Sequence, residues 1–315
     1  MDVNMEYPPV HLSIAVTNRC NFTCDYCLRG KPTNDDIDPN LLKKIFKNAS
    51  DYGIQNVSLT GGEPLLHPKF SKILRTISKY DLDYSFVTNG SFLSDYKKLM
   101  RRIKKPLHAS VSLNGSEKFI HDKSRPGTKS WQNAISSISM LVGMGITTFV
   151  GFVVDNNNRG DIGWTVKMAK ELGVEALWLL SYVPNKGFEY TSYTMQERED
   201  IINELIEYGC KYNLKVHCSS SFLDLRQVTC EFMANPVPYI QPTGEVSFCC
   251  NLESKGVILG DLNNDKYRDI LELFDSESAA LMQAKETFLA DPVDKSNCEF
   301  CYDFFKDRIS YFESE

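Results

Sequence analysis

The stretch "CNFTCDYC", Cys20 to Cys27, places three cysteines at spacings of four and three residues directly after a short apolar run. Thiolates are soft ligands for zinc, copper(I) and iron–sulfur clusters, and a closed zinc site usually takes four protein ligands. A local zinc site lacks a fourth ligand, because His11 lies nine residues upstream and His67 forty downstream. Three thiolates suit a cubane cluster with one open iron, which can bind a small molecule. Structural zinc, a disulfide with a spare cysteine, and three unrelated thiols are the alternatives.

The length and composition of the chain are those of an ordinary globular protein. Its 315 residues suffice for a large core, and 42% apolar and 24% charged residues argue against disorder. Apolar runs such as "ITTFVGFVV" are too short to span a bilayer, so no membrane partner is expected. A net charge of −6 argues against non-specific binding of nucleic acid. Ten cysteines without a secretory leader favour metal or redox use in a reducing compartment, which predicts a cytoplasmic protein.

Between residues 11 and 222, short apolar runs alternate with amphipathic segments, a pattern typical of parallel strands joined by helices. The predicted strands are "HLSIAV", "NVSLT", "YSFVTN", "HASVSL", "TTFVGFVV" and "ALWLLSYV". Such units form either a barrel or an open doubly wound sheet, and periodicity does not decide between them. Both architectures gather ligands at the carboxyl ends of the strands, where the cysteine stretch lies.

After residue 222 the pattern changes. "YIQPTGEVSFCC" predicts a hairpin about a Thr-Gly turn, "GDLNNDKYRDILELF" a turn and a helix, and "SNCEFCYDFF" a second cysteine cluster. We therefore predict an N-terminal tail over residues 1–10, a core domain over 11–222 and a smaller domain over 223–315.

The second predicted strand is followed by "TGGEP", Thr60 to Pro64. Gly61 and Gly62 allow close approach of the backbone to a ligand, and Glu63 adds an anionic acceptor suited to a cationic amino group. Alone, this segment is typical of a surface turn before a helix. Its position at a strand end beside the cysteine stretch favours a ligand site.

These motifs resemble the radical S-adenosylmethionine (radical SAM) superfamily. "CNFTCDYC" resembles its CxxxCxxC signature and "GGEP" its methionine-amino motif, while "VSLNG", "HDKSRPG" and "PTGEVSFC" are also similar to its members. The resemblance implies a partial (β/α)6 barrel in which Cys20, Cys24 and Cys27 hold a 4Fe–4S cluster. The open iron would chelate S-adenosylmethionine, and reductive cleavage by a flavodoxin-like or ferredoxin-like donor would give a 5′-deoxyadenosyl radical.

The resemblance also implies which residues bind the cofactor. The backbone of Tyr26 would meet adenine, Gly61 to Glu63 the methionine amino group, and Arg125 its carboxylate. Ser112 and Asn114 lie where relatives often place Ser and Asp against the ribose or carboxylate. Asn114 departs from that Asp, although an amide still hydrogen-bonds a hydroxyl. Arg125 as an exposed loop residue and Asn89 as a turn residue are the alternatives. The full predicted set is Tyr26, Gly61, Gly62, Glu63, Asn89, Ser112, Asn114 and Arg125.

The C-terminal cysteines resemble the auxiliary-cluster region called a Twitch domain, the short relative of SPASM domains. This implies a second 4Fe–4S cluster, with a zinc ribbon as the alternative. Its ligands would be Cys230, Cys298, Cys301 and one of the adjacent pair Cys249 and Cys250.

The adjacent pair predicts a spare thiol. Neighbouring side chains on a strand point to opposite faces, so one cysteine should miss the cluster. Radical SAM epimerases return a hydrogen atom from a thiol, and a "CC" pair in such enzymes predicts Cys249 as ligand and Cys250 as donor. A buried core cysteine is the alternative. Cys218 is a further candidate donor, whereas Cys210 on an amphipathic helix is expected in the core.

The resulting function is an enzyme that epimerises a carbon centre of a sugar, natural product or peptide. A Twitch-type dehydrogenase acting on an aminocyclitol or sugar alcohol is the runner-up, and thioether crosslinking is third. Because the predicted barrel begins by residue 11, we expect no N-terminal peptide-recognition domain. A non-catalytic iron–sulfur protein and a zinc-stabilised module complete the alternatives. Trp178, Tyr182 and "PNKGFEYTSY" are candidates to line the barrel mouth, but no pattern names the substrate.

Overall fold

Ten strands form one sheet in the computed structural model, which describes residues 11–181, 193–219, 237–250, 258–263, 270 and 272. The strands are β1 His11–Thr17, β2 Asn56–Gly61, β3 Asp83–Thr88, β4 His108–Ser112, β5 Thr148–Val154, β6 Ala176–Ser181, β7 Lys215–Cys218, β8 Tyr239–Ile240, β9 Glu245–Ser247 and β10 Gly260–Asp261. The sheet order is β10-β9-β8-β1-β2-β3-β4-β5-β6-β7. All six predicted strands are confirmed, and β7 is an additional one.

Helices connect the strands. They are α1 Pro39–Asp51, α2 Phe70–Ile77, α3 Leu93–Met100, α4 Lys118–Ser124, α5 Ser130–Gly143, α6 Ile162–Glu171 and α7 Met195–Tyr212, with short 3-10 turns at Pro64–Leu66 and Arg159–Asp161. Local sequence sets several helix starts. The side chain of Asp38 accepts from the backbone N–H of Asn40, and Thr194 with Glu197 forms a capping box. None of the described helices is long and apolar enough to cross a membrane.

The strand order distinguishes a barrel from a doubly wound sheet. Strands β1 to β7 pair in parallel in their order along the chain. Right-handed crossovers in a sequential order place all connecting helices on one face of the sheet, as in a barrel. The barrel is partial, because β1 pairs with β2 and β8 rather than with β7. The predicted partial α/β barrel is therefore confirmed.

The two faces of the sheet differ in composition. The helix-facing side forms the core, with buried Leu12, Ile14, Val57, Leu59, Tyr84, Phe86, Val111, Val150, Leu177 and Leu179. We call the opposite side the inner face. Small polar residues occupy it, namely Ser13, Ser58, Ser85, Ser110 and Ser112. Val87 lies there too, and it is 39% exposed although its strand is central to the sheet. The inner face therefore borders open space.

The predicted C-terminal hairpin is present as β8 and β9, joined by a turn at Gly244 with φ of 99°. Strand β8 pairs in parallel with β1, with Tyr239 opposite Ser13, so this hairpin extends the barrel sheet. The proposed boundary at 222/223 falls among residues 220–236, which lie outside the described residues. Residues 1–10 also lie outside them, as does most of the predicted helix in "GDLNNDKYRDILELF", of which only Ile270 and Glu272 are described. The domain limits stay a prediction.

Candidate active site

The cysteine loop begins where β1 ends. The hydroxyl of Thr17 donates to the carboxylate of Asp36 (2.6 Å), and the Nε of Arg19 donates to the same carboxylate (3.0 Å). The backbone N–H of Cys27 donates to the carbonyl of Cys24 (3.1 Å), which closes a turn between the last two cysteines. Cys20, Cys24 and Cys27 are half-buried, and none is in a disulfide. The disulfide alternative for this loop is thus wrong.

Packing within the chain leaves no room for a side chain at Gly61 or Gly62. A Cβ at Gly61 would lie 2.2 Å from the carbonyl oxygen of Thr17, and one at Gly62 would lie 2.4 Å from that of Arg19. Gly61 also has φ of 136°. The N–H groups of Gly62 and Glu63 donate to those two carbonyls, each at 2.7 Å. The end of β2 thus packs directly on the start of the cysteine loop. This contact alone is sufficient reason for glycine at both positions. Their contacts with the cofactor stay a prediction.

Glu63 links the ends of two strands. Its buried carboxylate accepts from the N–H of Leu65 (3.2 Å), the hydroxyl of Thr88 (2.8 Å) and the N–H of Asn89 (2.7 Å). Burial raises the pKa of Glu63 to about 7, and these donors oppose the rise. The side chain therefore holds β2 against β3. Its contact with a methionine amino group stays a prediction.

Asn89 brings the end of β3 to the first cysteine. Its Nδ2 lies 4.0 Å from the sulfur of Cys20 and donates to the Oδ1 of Asn21 (2.9 Å). Its Oδ1 accepts from the N–H of Ser91, as a turn residue would. The turn interpretation of Asn89 agrees with these bonds, and its contact with the cofactor stays a prediction.

The hydroxyl of Tyr26 is the centre of a partly buried hydrogen-bond network. It accepts from the Nδ2 of Asn114 and from the Nη1 of Arg125, both at 2.6 Å. Arg125 is thus no exposed loop residue, and that alternative is wrong. The Nδ2 of Asn114 also donates to Ser124 (2.8 Å), while its Oδ1 accepts from the N–H of Val153 (3.1 Å).

This network explains why position 114 is an amide. An ionised Asp has no hydrogen to donate, whereas Asn114 donates to both Tyr26 and Ser124. Both the NH2 group and the oxygen of this amide are hydrogen-bonded within the chain. These bonds give no support to its predicted contact with ribose or carboxylate. Ser112 differs, because it ends β4 on the half-buried inner face and makes no side-chain hydrogen bond within the described part of the chain. Cofactor binding by Ser112, Arg125 and Tyr26 stays a prediction.

Comparison with known proteins agrees with this geometry. Residues 14–169 match the family model described as the radical SAM superfamily. This chain contains a radical SAM domain. Among curated proteins, it is 25% identical to the subtilosin biosynthesis protein AlbA of Bacillus subtilis over 94% of this chain and 66% of AlbA. It is 29% identical to a probable GTP 3′,8-cyclase of Saccharolobus islandicus over 86% of this chain and 88% of that protein.

Solved structures share the fold. Native anSMEcpe with bound AdoMet superposes with a TM-score of 0.70 at 16% identity, over 96% of this chain and 98% of that one. Streptococcus suis SuiB bound to precursor peptide SuiA gives 0.70 at 16% identity, over 84% of this chain and 64% of SuiB. This chain therefore spans less than two thirds of the length of AlbA and SuiB. Identities this low show a common fold and no more.

The residues of the loop fit the cluster that a radical SAM domain implies. Burial raises the pKa of Cys20 to about 11, and the charges of Glu63 and of the other two loop thiols add to the rise. Burial also raises the pKa of Cys27, to which the thiol of Cys24 adds. Iron ligation would stabilise the thiolates. Among the described residues no three His, Cys, Asp or Glu side chains are placed to share one metal ion. In a 4Fe–4S cluster each thiolate binds a different iron, so the three thiols need not meet at one ion.

His121 is a site residue that sequence reasoning missed. Its Nδ1 accepts from the backbone N–H of Asn114 (3.1 Å), and its Nε2 lies 2.9 Å from the hydroxyl of Ser130. It is fully buried, and burial lowers its pKa to about 3. It therefore fixes the loop after β4 as a neutral imidazole. The signal was its place in "HDKSRPG", four residues before Arg125.

This histidine predicts a pH dependence of stability. The unfolded chain binds a proton at His121 below about pH 6.5, whereas the folded chain does so only near pH 3. The stabilising contribution is therefore present above pH 6.5 and lost as pH falls toward 3, at up to about 1.4 kcal/mol per pH unit. In urea denaturation, His121→Gln should lose that part of the slope between about pH 6 and 4. The exposed His217→Gln is the control, and an unchanged slope in His121→Gln contradicts the assignment.

Tyr26 gives a second prediction. Tyr26→Phe leaves the donors of Arg125 and Asn114 without their acceptor, so we expect a loss of about 2 kcal/mol in the free energy of unfolding. Urea denaturation of anaerobically reconstituted protein measures it. Tyr84→Phe is the matched control, since that buried hydroxyl donates only to the carbonyl of Lys104 and should cost about 1 kcal/mol. Equal losses of unfolding free energy in the two variants would show that the network around Tyr26 adds nothing to stability.

The structure corrects the argument about the adjacent cysteines. Strand β9 ends at Ser247, so Cys249 and Cys250 lie beyond it, both half-buried. Strand alternation therefore does not place them on opposite faces, and their separate roles stay a prediction. Cys210 is exposed on α7, so its expected core position is wrong, while Cys218 ends β7 as expected. Cys230, Cys298 and Cys301 lie outside the described residues.

Proposed function

We propose that this chain is a radical SAM enzyme that epimerises a carbon centre of a sugar-like natural product or a peptide, with Cys250 as hydrogen donor. The radical SAM domain and the three cysteines of its CxxxCxxC loop support the assignment to radical SAM chemistry. The position of Cys250 near the cysteine loop supports its role as donor. When bound, the cluster and S-adenosylmethionine supply a 5′-deoxyadenosyl radical that takes one hydrogen atom from the substrate. The electron comes from a flavodoxin-like or ferredoxin-like donor.

The C-terminal hairpin supports the role of Cys250. Tyr239 on β8 is buried against β1, and the guanidinium of Arg29 lies 4.9 Å from the centre of its ring. The thiols of both Cys250 and Cys27 lie close enough to act on the charge of Tyr239. Cys250 and Cys27 of the cysteine loop therefore both lie near Tyr239.

The proposed reaction balances. The substrate carbon loses a hydrogen atom to the adenosyl group, which leaves as 5′-deoxyadenosine. The thiol of Cys250 then gives its hydrogen atom to the carbon from the other face, which inverts the centre. The sulfur radical left on Cys250 takes one electron from the reductant and one proton from solvent, which restores the thiol. Each turnover thus consumes one S-adenosylmethionine and two electrons.

Dehydrogenation is the second candidate. Strand β9 ends before Cys249 and Cys250, so strand alternation gives Cys250 no separate role, and in a dehydrogenase its thiol would be dispensable. The substrate radical would then lose its electron to an auxiliary cluster of the Twitch type, with Cys230, Cys249, Cys298 and Cys301 as ligands. A peptide substrate is favoured by the SuiB structure, which contains its precursor peptide.

Anaerobic turnover of the reconstituted protein in deuterated buffer tests the proposal. Thiol hydrogens exchange with solvent, so an epimerised product should carry one deuterium and otherwise keep the mass of the substrate. A product lighter by two hydrogens would instead establish the dehydrogenase. Absence of 5′-deoxyadenosine with every candidate sugar and peptide would refute both and favour a non-catalytic protein.

A further inference from the structure

Phe22 is the buried aromatic residue between the first two cysteines of the loop. It is 3% exposed, although among the described residues it is not part of the main hydrophobic core. Its backbone N–H donates to the sulfur of Cys20 at 3.5 Å. Whatever holds the ring of Phe22 in place therefore also holds a hydrogen bond to a predicted cluster ligand.

Gly127 packs directly on this ring, from the loop between α4 and α5. A Cβ at Gly127 would lie 2.0 Å from the Cε1 of Phe22 and 2.2 Å from its Cδ1. Ordinary van der Waals contacts of a Cβ begin at 3.4 Å, so the ring would have to move by about 1.4 Å, the difference between 3.4 and 2.0 Å. Unlike Gly61, Gly127 has no positive φ, so the packing against Phe22, and not the backbone conformation, excludes a side chain.

The loop that carries Gly127 is held on both sides. On one side its carbonyl accepts from the N–H of Ser130, a fully buried residue at the start of α5, at 3.4 Å. On the other side, Arg125 donates to the hydroxyl of Tyr26 at 2.6 Å. The loop thus contacts Phe22 and Tyr26, the aromatic residues in the two intervals between the cysteines. Because close-packed regions transmit strain, crowding at Gly127 would displace the cysteine loop.

We propose that Gly127 is a positioning residue for the cluster, which packs on Phe22 and so holds the N–H of Phe22 against the sulfur of Cys20. Hydrogen bonds to the sulfurs help to set the potential of an iron–sulfur cluster. An N–H group stabilises the reduced state more, because that state carries the larger negative charge. Gly127 therefore favours uptake of the electron that starts the reaction. This inference rests on the proposed role of Cys20 as a cluster ligand.

Gly127→Ala in the anaerobically reconstituted full chain tests this role. The cluster is recognised by the EPR signal that changes when S-adenosylmethionine is added, which separates it from an auxiliary cluster. We expect the midpoint potential of that signal to fall by about 59 mV, which equals a tenfold less favourable one-electron reduction. The disturbed packing should also lower Tm, by about 2–4 °C.

Gly163→Ala is the matched control. Gly163 also packs on an aromatic ring, since its Cβ would lie 2.4 Å from the Cζ of Tyr208, but this contact joins α6 to α7. Its packing is therefore disturbed in the same way without a change at the cysteine loop. We expect the EPR signal and the midpoint potential of the wild type.

Phe22→Val changes the same contact from the other partner. Valine lacks the ring atoms that a methyl group at position 127 would meet, so this variant creates no clash and tests the contact even if Gly127→Ala fails to fold. Without the ring the N–H at position 22 is held less firmly, and we expect a smaller fall of the midpoint potential. In the double variant the alanine methyl group refills part of the space, so the potential should lie nearer to that of the wild type than in either single variant.

Two results would overturn the inference. One is an unchanged midpoint potential in both single variants. The other is a double variant whose shift is the sum of the single shifts, because additivity would mean that the two residues do not act through their contact. Wild-type protein without a signal that responds to S-adenosylmethionine, or a Cys20→Ala variant that keeps this signal, would instead overturn the proposed cluster site, so the two failures are distinguished.

Discussion

Gly61→Ala should displace the cysteine loop and prevent S-adenosylmethionine from reaching the cluster. The new Cβ would lie 2.2 Å from the carbonyl oxygen of Thr17, and the backbone at this position has φ of 136°. Overpacking costs about 1–3 kcal/mol, and a side chain at positive φ about 1–2 kcal/mol more. We therefore expect a loss on the order of 3 kcal/mol in the free energy of unfolding. A typical domain survives that loss, so the variant should fold with a distorted site.

Two measurements separate the site from the fold. Urea denaturation reports the stability, and the EPR spectrum of the reduced cluster reports binding through its change when S-adenosylmethionine is added. Gly53→Ala is the matched control, because Gly53 has φ of 75° but nothing within 4 Å of its Cβ. It should lose about 1–2 kcal/mol and keep the spectral change. If Gly61→Ala also keeps the change, the contact between β2 and the cysteine loop does not shape the cofactor site.

Much of the fold follows from local sequence. The six predicted strands are apolar runs, and each buries alternate residues against helices whose amphipathic faces are equally visible in the sequence. Strand β7 was harder to predict, because "KVHC" is short and carries a charge. The pairing of β8 with β1 was not predictable at all. It joins residues more than 200 positions apart through a strand of only two residues, so no periodicity reveals it.

The candidate site likewise combines local features, which the sequence reveals, with long-range contacts, which it does not. Cysteine spacing and the glycine turn are local features, so their meaning could be read from the sequence. The network of Tyr26 depends on contacts with Asn114 and Arg125 that span 88 and 99 residues. Sequence alone identified these residues by resemblance but gave each of them a contact with the cofactor. Their bonds instead join them to one another, which only the folded chain shows.

Cys250→Ala should abolish deuterium incorporation while 5′-deoxyadenosine continues to form. The variant keeps Cys20, Cys24 and Cys27, so cleavage of S-adenosylmethionine is preserved. It lacks the thiol that would return a hydrogen atom, so we expect product labelled with one deuterium to fall at least about 100-fold. The measurement is mass spectrometry of products made anaerobically in deuterated buffer, with 5′-deoxyadenosine quantified in the same sample.

Three further cysteine variants make the result specific. Cys210→Ala changes an exposed thiol on α7 and should behave as wild type. Cys218→Ala tests a further half-buried thiol, at the end of β7, and labelling that depends on it would transfer the donor role there. Cys249→Ala should remove a ligand of the auxiliary cluster and so lower the iron content, which Cys250→Ala should leave unchanged. If Cys250→Ala instead lowers iron and Cys249→Ala does not, the two cysteines exchange roles, because both follow the end of β9 and either thiol can then face the cluster.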